Sequence, residues 1–343
     1  MKKVLLTLLQ LTVTAAVLYW VFHDPAKRAQ MAVALRAADL RWIGAAMLIY
    51  LVVELAAALR WHVLLKVQGI ELGLPRVGAL FMIGVFFNQF LPGGTGGDIV
   101  KSYLLVKETP GRMTGALLAV LFDRLIGLVA LITITGTLIA LRYDFLSQKP
   151  ETRTLLWTLL AILGFSVASL ISTFVISGFN LLKRLPQKFP GRERLIEVSA
   201  AYHLYARHWG ATLIAFGCSI VAHLATFATF LFVAFALGAA VPIVDFFAIM
   251  PIERTISSMP ISFAGVGVRE HILQVMLSGL LGVPPAVAVL IGSMSFLVTL
   301  ACSAPGGIVY LLYRPSGGKG AVNLSEMERE VATLEQRIVE KEG

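Results

Sequence analysis

The sequence predicts an all-α, polytopic membrane protein, and three observations carry that prediction. Hydrophobic residues make up 57% of the 343-residue chain and charged residues only 14%, against roughly a quarter in ordinary soluble domains. Several apolar runs exceed the roughly 18 residues at which a segment can cross a bilayer core. Two further apolar regions are interrupted midway by proline, glycine and charge, and such backbone is stable at membrane depth only inside protein or beside water.

The elements follow in chain order. A first span falls near 4–22. Its stretch MKKVLLTLLQLTVTAAVLYWVF is too long for a signal-peptide core, and no small-x-small cleavage site precedes a soluble domain, so it reads as a retained helix. Full spans follow near 42–60, 114–141, 154–178, 211–238 and 285–313, making about six. The interrupted regions lie at about 77–106 and 243–283, with the sequences FFNQFLPGGTGGDIVKSYLL and MPIERTISSMPISFAGVGVREHILQ. Both read as re-entrant or broken-helix hairpins. Loop 179–210 reads as an interfacial amphipathic helix with Tyr202, Tyr205 and Trp209 as headgroup anchors. Residues 1–314 form the membrane domain. Residues 315–343 change character to a glycine-bearing linker and a short amphipathic helix, with Ser325 and Glu328 as a capping box and a 3-4 stripe at Leu324, Met327, Val331, Leu334 and Ile338.

Charge supplies the orientation. Lysine and arginine concentrate in cytoplasmic loops, and loop 179–210 carries Lys183, Arg184, Lys188, Arg192, Arg194 and Arg207. Counting outward from it puts both termini in the cytoplasm. Lys27, Arg28, Arg36 and Arg41 then fall outside, against the rule. On this layout the first hairpin begins and ends inside and the second begins and ends outside. Opposed hairpins are the pattern of inverted-repeat transporters, whose substrate sits near the midplane. A faint echo supports such a repeat: Pro92 before Gly94, Gly96 and Asp98, and Pro260 before Gly265, Gly267 and Glu270.

Composition also excludes functions. The formal charge of +9 sits between apolar runs, with no basic patch interleaved with aromatics, so nucleic acid is not an expected partner. Cys218 and Cys302 lie in separate spans and read as packing residues. No metal-ligand cluster, cofactor fingerprint or Ser/His/Asp set is present, so neither a metal, a cofactor nor an enzyme activity is expected.

The chemistry concentrates in the broken regions. Asn88, Gln89 and the run Gly93, Gly94, Gly96, Gly97, Asp98 allow a turn whose backbone N–H groups could cradle an anion at a helix start, with Lys101 one turn on. A tight structural turn with Asp98 capping a half-helix is the alternative. In the second region Glu253, Arg254, Arg269 and Glu270 lie in apolar surroundings, where an ionisable group costs about 2.5–3.5 kcal/mol on insertion scales and tends to pair or line a pathway. Neighbours in sequence point to different helix faces, so their expected partners are Asp98, Asp123 and Arg124. Asp123 and Arg124, within the 114–141 span, serve either function or structure. Glu54 and His271 are candidates for proton coupling, and His223 for a hydrogen-bonded packing role.

The stretches NQFLPGGTGGDIVKSYLL, FDRLIGL and PISFAGVGVREH resemble the flippase-like membrane family of the lysylphosphatidylglycerol synthase transmembrane region, over roughly residues 1–314. The resemblance implies translocation of modified phospholipids or lipid-linked sugars. It places functional residues at Asn88, Gly94, Gly97, Asp98, Asp123, Arg124, Arg269 and Glu270. It does not extend to the aminoacyl-transferase domain of bifunctional members. The expectation is therefore a bacterial inner-membrane lipid translocator. Its partners are lipids with anionic or phosphate headgroups, and a homo-oligomer is open. A transferase acting on a lipid-linked substrate, or a regulatory membrane subunit, is the alternative.

Overall fold

The computed structural model describes residues 23–90, 96–109, 111–178, 192–259 and 262–314, with scattered positions among 12–19. The described residues are helical throughout their regular structure, as the composition requires. The helices are α1 (Pro25–Arg36), α2 (Leu40–Val67), α3 (Leu74–Phe90), α4 (Gly96–Glu108), α5 (Met113–Leu146) and α6 (Pro150–Gly178). They continue with α7 (Arg192–Arg207), α8 (Trp209–Ala236), α9 (Ile243–Ser257), α10 (Val268–Leu273), α11 (Pro285–Ser303) and α12 (Pro305–Leu312). From Leu273 the chain runs on through a π-helical turn, Gln274–Ser278, to Leu281.

Length separates two kinds of element. Five helical stretches are long and apolar enough to span a bilayer: α2, α5, α6, α8 and the continuous α11–α12. At 1.5 Å per residue the 28 residues of α2 reach about 42 Å, whereas the hydrocarbon core is about 30 Å. The 17 residues of α3 and the 15 of α9 reach only about 25 and 22 Å, so neither completes a crossing. Five of the six expected full spans thus correspond to crossing helices, and the span near 4–22 lies outside the described residues. Exposed leucines, isoleucines and aromatics such as Leu48, Leu55, Phe165, Ile171, Leu213 and Leu311 supply the lipid-facing surface.

Contacts between element ends fix the directions. The Asp39 N–H donates to the Ala236 carbonyl (2.9 Å), so α2 and α8 pack antiparallel, start to end. Arg112 bonds the Gly69 carbonyl, placing the start of α5 beside the end of α2. Arg142, where α5 kinks, bonds Asp245 at the start of α9. The base of α3 and α4 lies on the first of these faces. There Arg76 pairs with Glu108 (2.6 Å) and with the Arg314 carbonyl (2.7 Å), and the Tyr313 hydroxyl donates to Glu108 (2.6 Å). Burial and that bond raise the Tyr313 phenol above its ordinary range. Hairpin 1 (α3–α4) therefore enters from the face where α2 ends, and hairpin 2 (α9–α10) from the face where α2 begins. The order of crossing helix, hairpin and crossing helix occurs twice, as α2–hairpin 1–α5 and as α8–hairpin 2–α11, in opposite directions.

Four expectations need correction. The segment 23–41, read as a loop, contains α1, capped by the Asp24 carboxylate on the Ala26 N–H (2.9 Å) and tied to hairpin 2 by Lys27 Nζ to Gln274 Oε1 (2.5 Å). Span 42–60 does not stop at Arg60, because Trp61, Leu64 and Leu65 continue the buried face to Val67. Arg60 and His62 consequently lie inside the crossing helix. Loop 179–210 does contain a helix, α7, but Tyr205 is buried against Phe122 and donates to the Leu64 carbonyl (3.1 Å), so it is a packing residue and no headgroup anchor. The fourth is the pairing of the hairpin charges, taken up below. The linker and tail at 315–343 lie outside the described residues.

Candidate functional site

Hairpin 1 closes because glycine lets its arms touch. A Cβ on Gly97 would stand 1.8 Å from the Gly84 carbonyl oxygen and 2.7 Å from the Asn88 nitrogen, so no other residue fits at this crossing. The Gly97 N–H donates to Asn88 Oδ1 (2.9 Å), clasping the end of α3 to the start of α4. That bond uses the amide that sequence reasoning offered to an anion. Pro92, Gly93 and Gly94, the rest of the expected cradle, lie outside the described residues. Gly96 is buried at the start of α4.

One turn further on, a chain of charges fills the space between α4, α5 and α2. Asp98 accepts from Arg124 Nε (2.7 Å) and lies 3.6 Å from Lys101 Nζ. Lys101 is in turn 3.7 Å from Asp123, and Asp123 accepts from Arg60 Nε (2.7 Å). Arg60 also donates to Ser219 Oγ on α8 (3.1 Å). Lys101 is buried, with its ammonium 4.5 Å from the Trp61 ring centroid, a cation–π contact. Ionised groups at this depth survive only when paired, and here each carboxylate serves two cations. Arg124 differs in keeping 54% of its side chain exposed.

Hairpin 2 turns through backbone that only special residues favour. Gly265 and Gly267 have φ of 74° and 88°, and Ala264 just before them has φ 50°, a conformation a Cβ-bearing residue rarely adopts. Arg269 stitches the turn, with Nη2 donating to the Ala264 carbonyl (2.9 Å), Nε 3.5 Å from Glu253 and the guanidinium over the Phe296 ring (5.0 Å). Glu270 reaches back to accept from the Gly267 N–H (2.6 Å) and takes a bond from Ser293 (3.3 Å), capping α10. The expected pairing of these residues with Asp98, Asp123 and Arg124 is therefore corrected. Hairpin 2 pairs Arg269 with its own Glu253, because folding back on itself brings that partner within reach, whereas the hairpin 1 charges Asp98 and Lys101 pair with Arg124 and Asp123 of α5.

Arg254 is the exception. It lies one turn after Pro251, whose missing N–H weakens the helix at that point. Its side chain is exposed while Glu253, Thr255 and Ile256 around it are buried, and it has no ion pair among the described residues. The space it faces is a pair of adjoining cavities within the bundle. One, about 320 Å³, is lined by Arg60, Asn88, Asp98, Lys101, Asp123, Arg124, His223, Arg254 and Ser258 with apolar neighbours. The other, about 430 Å³, is lined by Asn88, Gln89, Arg124, Arg254, Arg269 and several hydroxyl side chains. Asn88, Arg124, Arg254 and Ser258 border both. Five cationic side chains stand on these walls against two carboxylates.

The structure thus brings together Asn88, Gln89, Asp98, Lys101, Asp123, Arg124, Arg254 and Arg269 from the sequence-derived set. Glu253 and Glu270 are buried behind the walls and line neither cavity. Glu54 and His271 also lie off the cavities. Glu54 Oε1 is buried without a hydrogen-bond partner among the described residues. His223 donates from Nε2 to the Gly127 carbonyl (3.0 Å), a packing bond, and also reaches the wall. Sequence reasoning missed Arg60 and the hydroxyls Ser257, Ser258 and Ser262. The signal for Arg60 was the apolar run continuing past it. The serine pair at 257–258 follows Arg254 at helical spacing, on the turn facing the same space. No group of three metal-binding side chains occurs among the described residues.

Opposed half-length hairpins meeting at a charged cavity within a bundle of crossing helices define a polytopic membrane protein. The model of the lysylphosphatidylglycerol synthase transmembrane region matches residues 7–306, and the chain belongs to that family. A UPF0104 membrane protein of Pyrococcus horikoshii is 30% identical over 134 residues, a stretch that spans 38% of each chain.

Proposed function

We propose that the chain is a lipid translocator, moving a lipid with an anionic, phosphate-bearing headgroup between the leaflets of a bacterial inner membrane. The observation that carries this reading is the exposed Arg254, unpaired among the described residues, on the wall of a cationic cavity bordered by both hairpins. A guanidinium on a cavity wall with no counterion among the described residues attracts an anion, and an entering phosphate would supply one. The headgroup would occupy the cavity while the acyl chains stay in the surrounding lipid. Access would alternate as one hairpin rocks against the other, a population shift driven by unequal affinity in the two states. The lipid leaves chemically unchanged, so no catalytic residue is assigned. The lysine- and arginine-rich 179–210 segment favours the face where α2 ends as the cytoplasmic one, with both termini there and 315–343 as a separate appendage.

The test is leaflet accessibility of fluorescent anionic phospholipids and prenyl-phosphate lipids in liposomes holding purified protein. Wild type should move at least one class, and Arg254→Gln should slow it about tenfold or more, since one charge-assisted hydrogen bond contributes roughly 1.5–3 kcal/mol. Failure of folded wild type to move either class would overturn the reading. A chemically altered lipid would instead identify a transferase.

A further inference from the structure

The ion pairs around the cavities are not equally tight. Arg60 meets Asp123 and Arg124 meets Asp98 at 2.7 Å, the separation of a charge-assisted hydrogen bond, roughly 2.7–2.9 Å. Arg269 Nε stands 3.5 Å from Glu253 Oε1, well beyond that range. Glu253 is 1% exposed and Arg269 8% exposed. Each nevertheless keeps one atom, Oε2 and Nη1, without a hydrogen-bond partner among the described residues. Buried polar groups are almost always satisfied, and an exception needs an explanation. Two orphaned atoms in one loose pair are explained by a second state of that pair.

The second state is a protonated Glu253. Ser257 lies one helical turn after Glu253 on the same side of α9, close enough for its hydroxyl to act on the carboxyl group. Ser257 Oγ is itself buried without a partner among the described residues, and Ser257 lines the larger cavity. A hydroxyl both donates and accepts, so it can hand a proton from the cavity to Oε2 and then accept the new O–H. Arg269 stands on the wall of the same cavity, and a neutral Glu253 no longer offsets its charge. The charged groups acting on Glu253 are Arg269 and Glu270 of α10 and its neighbour Arg254. On the other helices packed against α9, Asp123, Arg124 and His223 stand on the smaller cavity's wall, Arg142 pairs with Asp245, and Glu151 and Arg153 sit at the exposed start of α6. Asp98, Asp123 and Glu270 are each hydrogen-bonded to a charged side chain or to the backbone, whereas Glu253 has an oxygen to spare.

We propose that Glu253 is a proton-binding site linked to the larger cavity, loaded from cavity water through the Ser257 hydroxyl, and that its protonation turns the charge of Arg269 towards an anion in the cavity. The O–H bond formed on Oε2 is matched by the one broken in the donor, hydronium or a buffer acid, and Arg269 keeps its proton throughout. Anion binding and proton binding then strengthen each other by the same factor. The linkage rests on the anion-binding reading of the cavity given above, whereas the proton site itself stands without it.

Titration calorimetry with sulfate, whose charge is constant across the neutral range, would be run on the full chain in detergent in buffers of different ionisation enthalpy. Wild type should take up a fraction of a proton per sulfate bound. Its affinity should fall as pH rises, by at most about tenfold per pH unit, the limit for one linked proton. Glu253→Gln imitates the neutral acid, so it should bind sulfate without proton uptake, and at high pH as tightly as wild type does at low pH. Infrared titration without any anion should show a protonated-carboxyl band in wild type that fades as pH rises and is missing from Glu253→Gln. Glu253→Asp keeps the acid and should shift that band, which carries the test if the glutamine variant does not fold. In Ser257→Ala the band should persist while its exchange in deuterated water slows several-fold.

A carboxyl band unchanged by either substitution of Glu253, or proton uptake that survives Glu253→Gln, would overturn the proposal. Exchange unaltered by Ser257→Ala would overturn the path through that hydroxyl. Sulfate that fails to bind folded wild type would sink the anion reading of the cavity and the linkage with it, and the infrared titration would then decide the proton site alone.

Discussion

At the residue scale the cavity walls hold two populations of charge with opposite expectations. Asp123 is buried between Arg60 and Lys101, so Asp123→Asn leaves two cations unbalanced. Breaking such a pair costs about 3–5 kcal/mol, and denaturant unfolding in detergent should show a loss of that order. Arg254 bears no such load. Arg254→Gln should leave stability within about 0.5 kcal/mol, so its transport defect would report on the ligand. The sequence distinguished these groups poorly. It exposed Asp98, Lys101, Asp123, Arg124, Arg254 and Arg269 as anomalies of charge in apolar runs, since the cost of ionised groups is visible in composition. It did not reveal which pairs form, because partners are chosen by the crossing of helices far apart in the chain. Arg60 meets Asp123 across 63 positions and Ser219 across 159.

At the element scale, hairpin 1 depends on the approach of α3 to α4 at Gly84 and Gly97. Gly97→Ala would place a methyl group against backbone on the opposite arm, and overpacking of this kind costs about 1–3 kcal/mol, occasionally more. The substitution should lower the unfolding midpoint and weaken anion binding together, because it displaces Asn88, which borders both cavities. Gly97→Ser carries the same Cβ with a hydroxyl added and should be at least as damaging. If Gly97→Ala left both unchanged, α3 and α4 would not close on each other at Gly84 and Gly97. The hairpins were legible as elements because proline, glycine and charge interrupt apolar runs too short on either side to cross. The role of the glycines was legible only in part. A glycine can supply an amide to a ligand or room for a neighbouring helix, and the Asn88 bond to Gly97 decides for the second.

At the scale of the whole molecule, the opposed entry of the hairpins has a direct test. Single cysteines replacing Glu71, between α2 and α3, and Lys149, between α5 and α6, lie at exposed positions on opposite ends of the bundle. In a background lacking Cys218 and Cys302, a membrane-impermeant thiol reagent should label one from outside and the other only after the membrane is opened. Labelling of both from one side would overturn the architecture. Five crossing helices followed from counting apolar lengths, and the chain's direction through each followed from parity. The helix at 25–36 was missed because its polar composition resembles a loop; its packing against α11, the burial of Met31 and the Lys27–Gln274 contact give it a place.

Each hairpin leaves and rejoins the same face, so neither contributes to the tally of crossings that decides which side Arg314 reaches. The odd number of crossing stretches from α2 to α12 settles that by itself. Sidedness and the cavity are therefore separable properties of this chain: excising 243–283 should abolish anion binding, yet a reporter fused after Arg314 should still sit on the side it occupies in the intact protein.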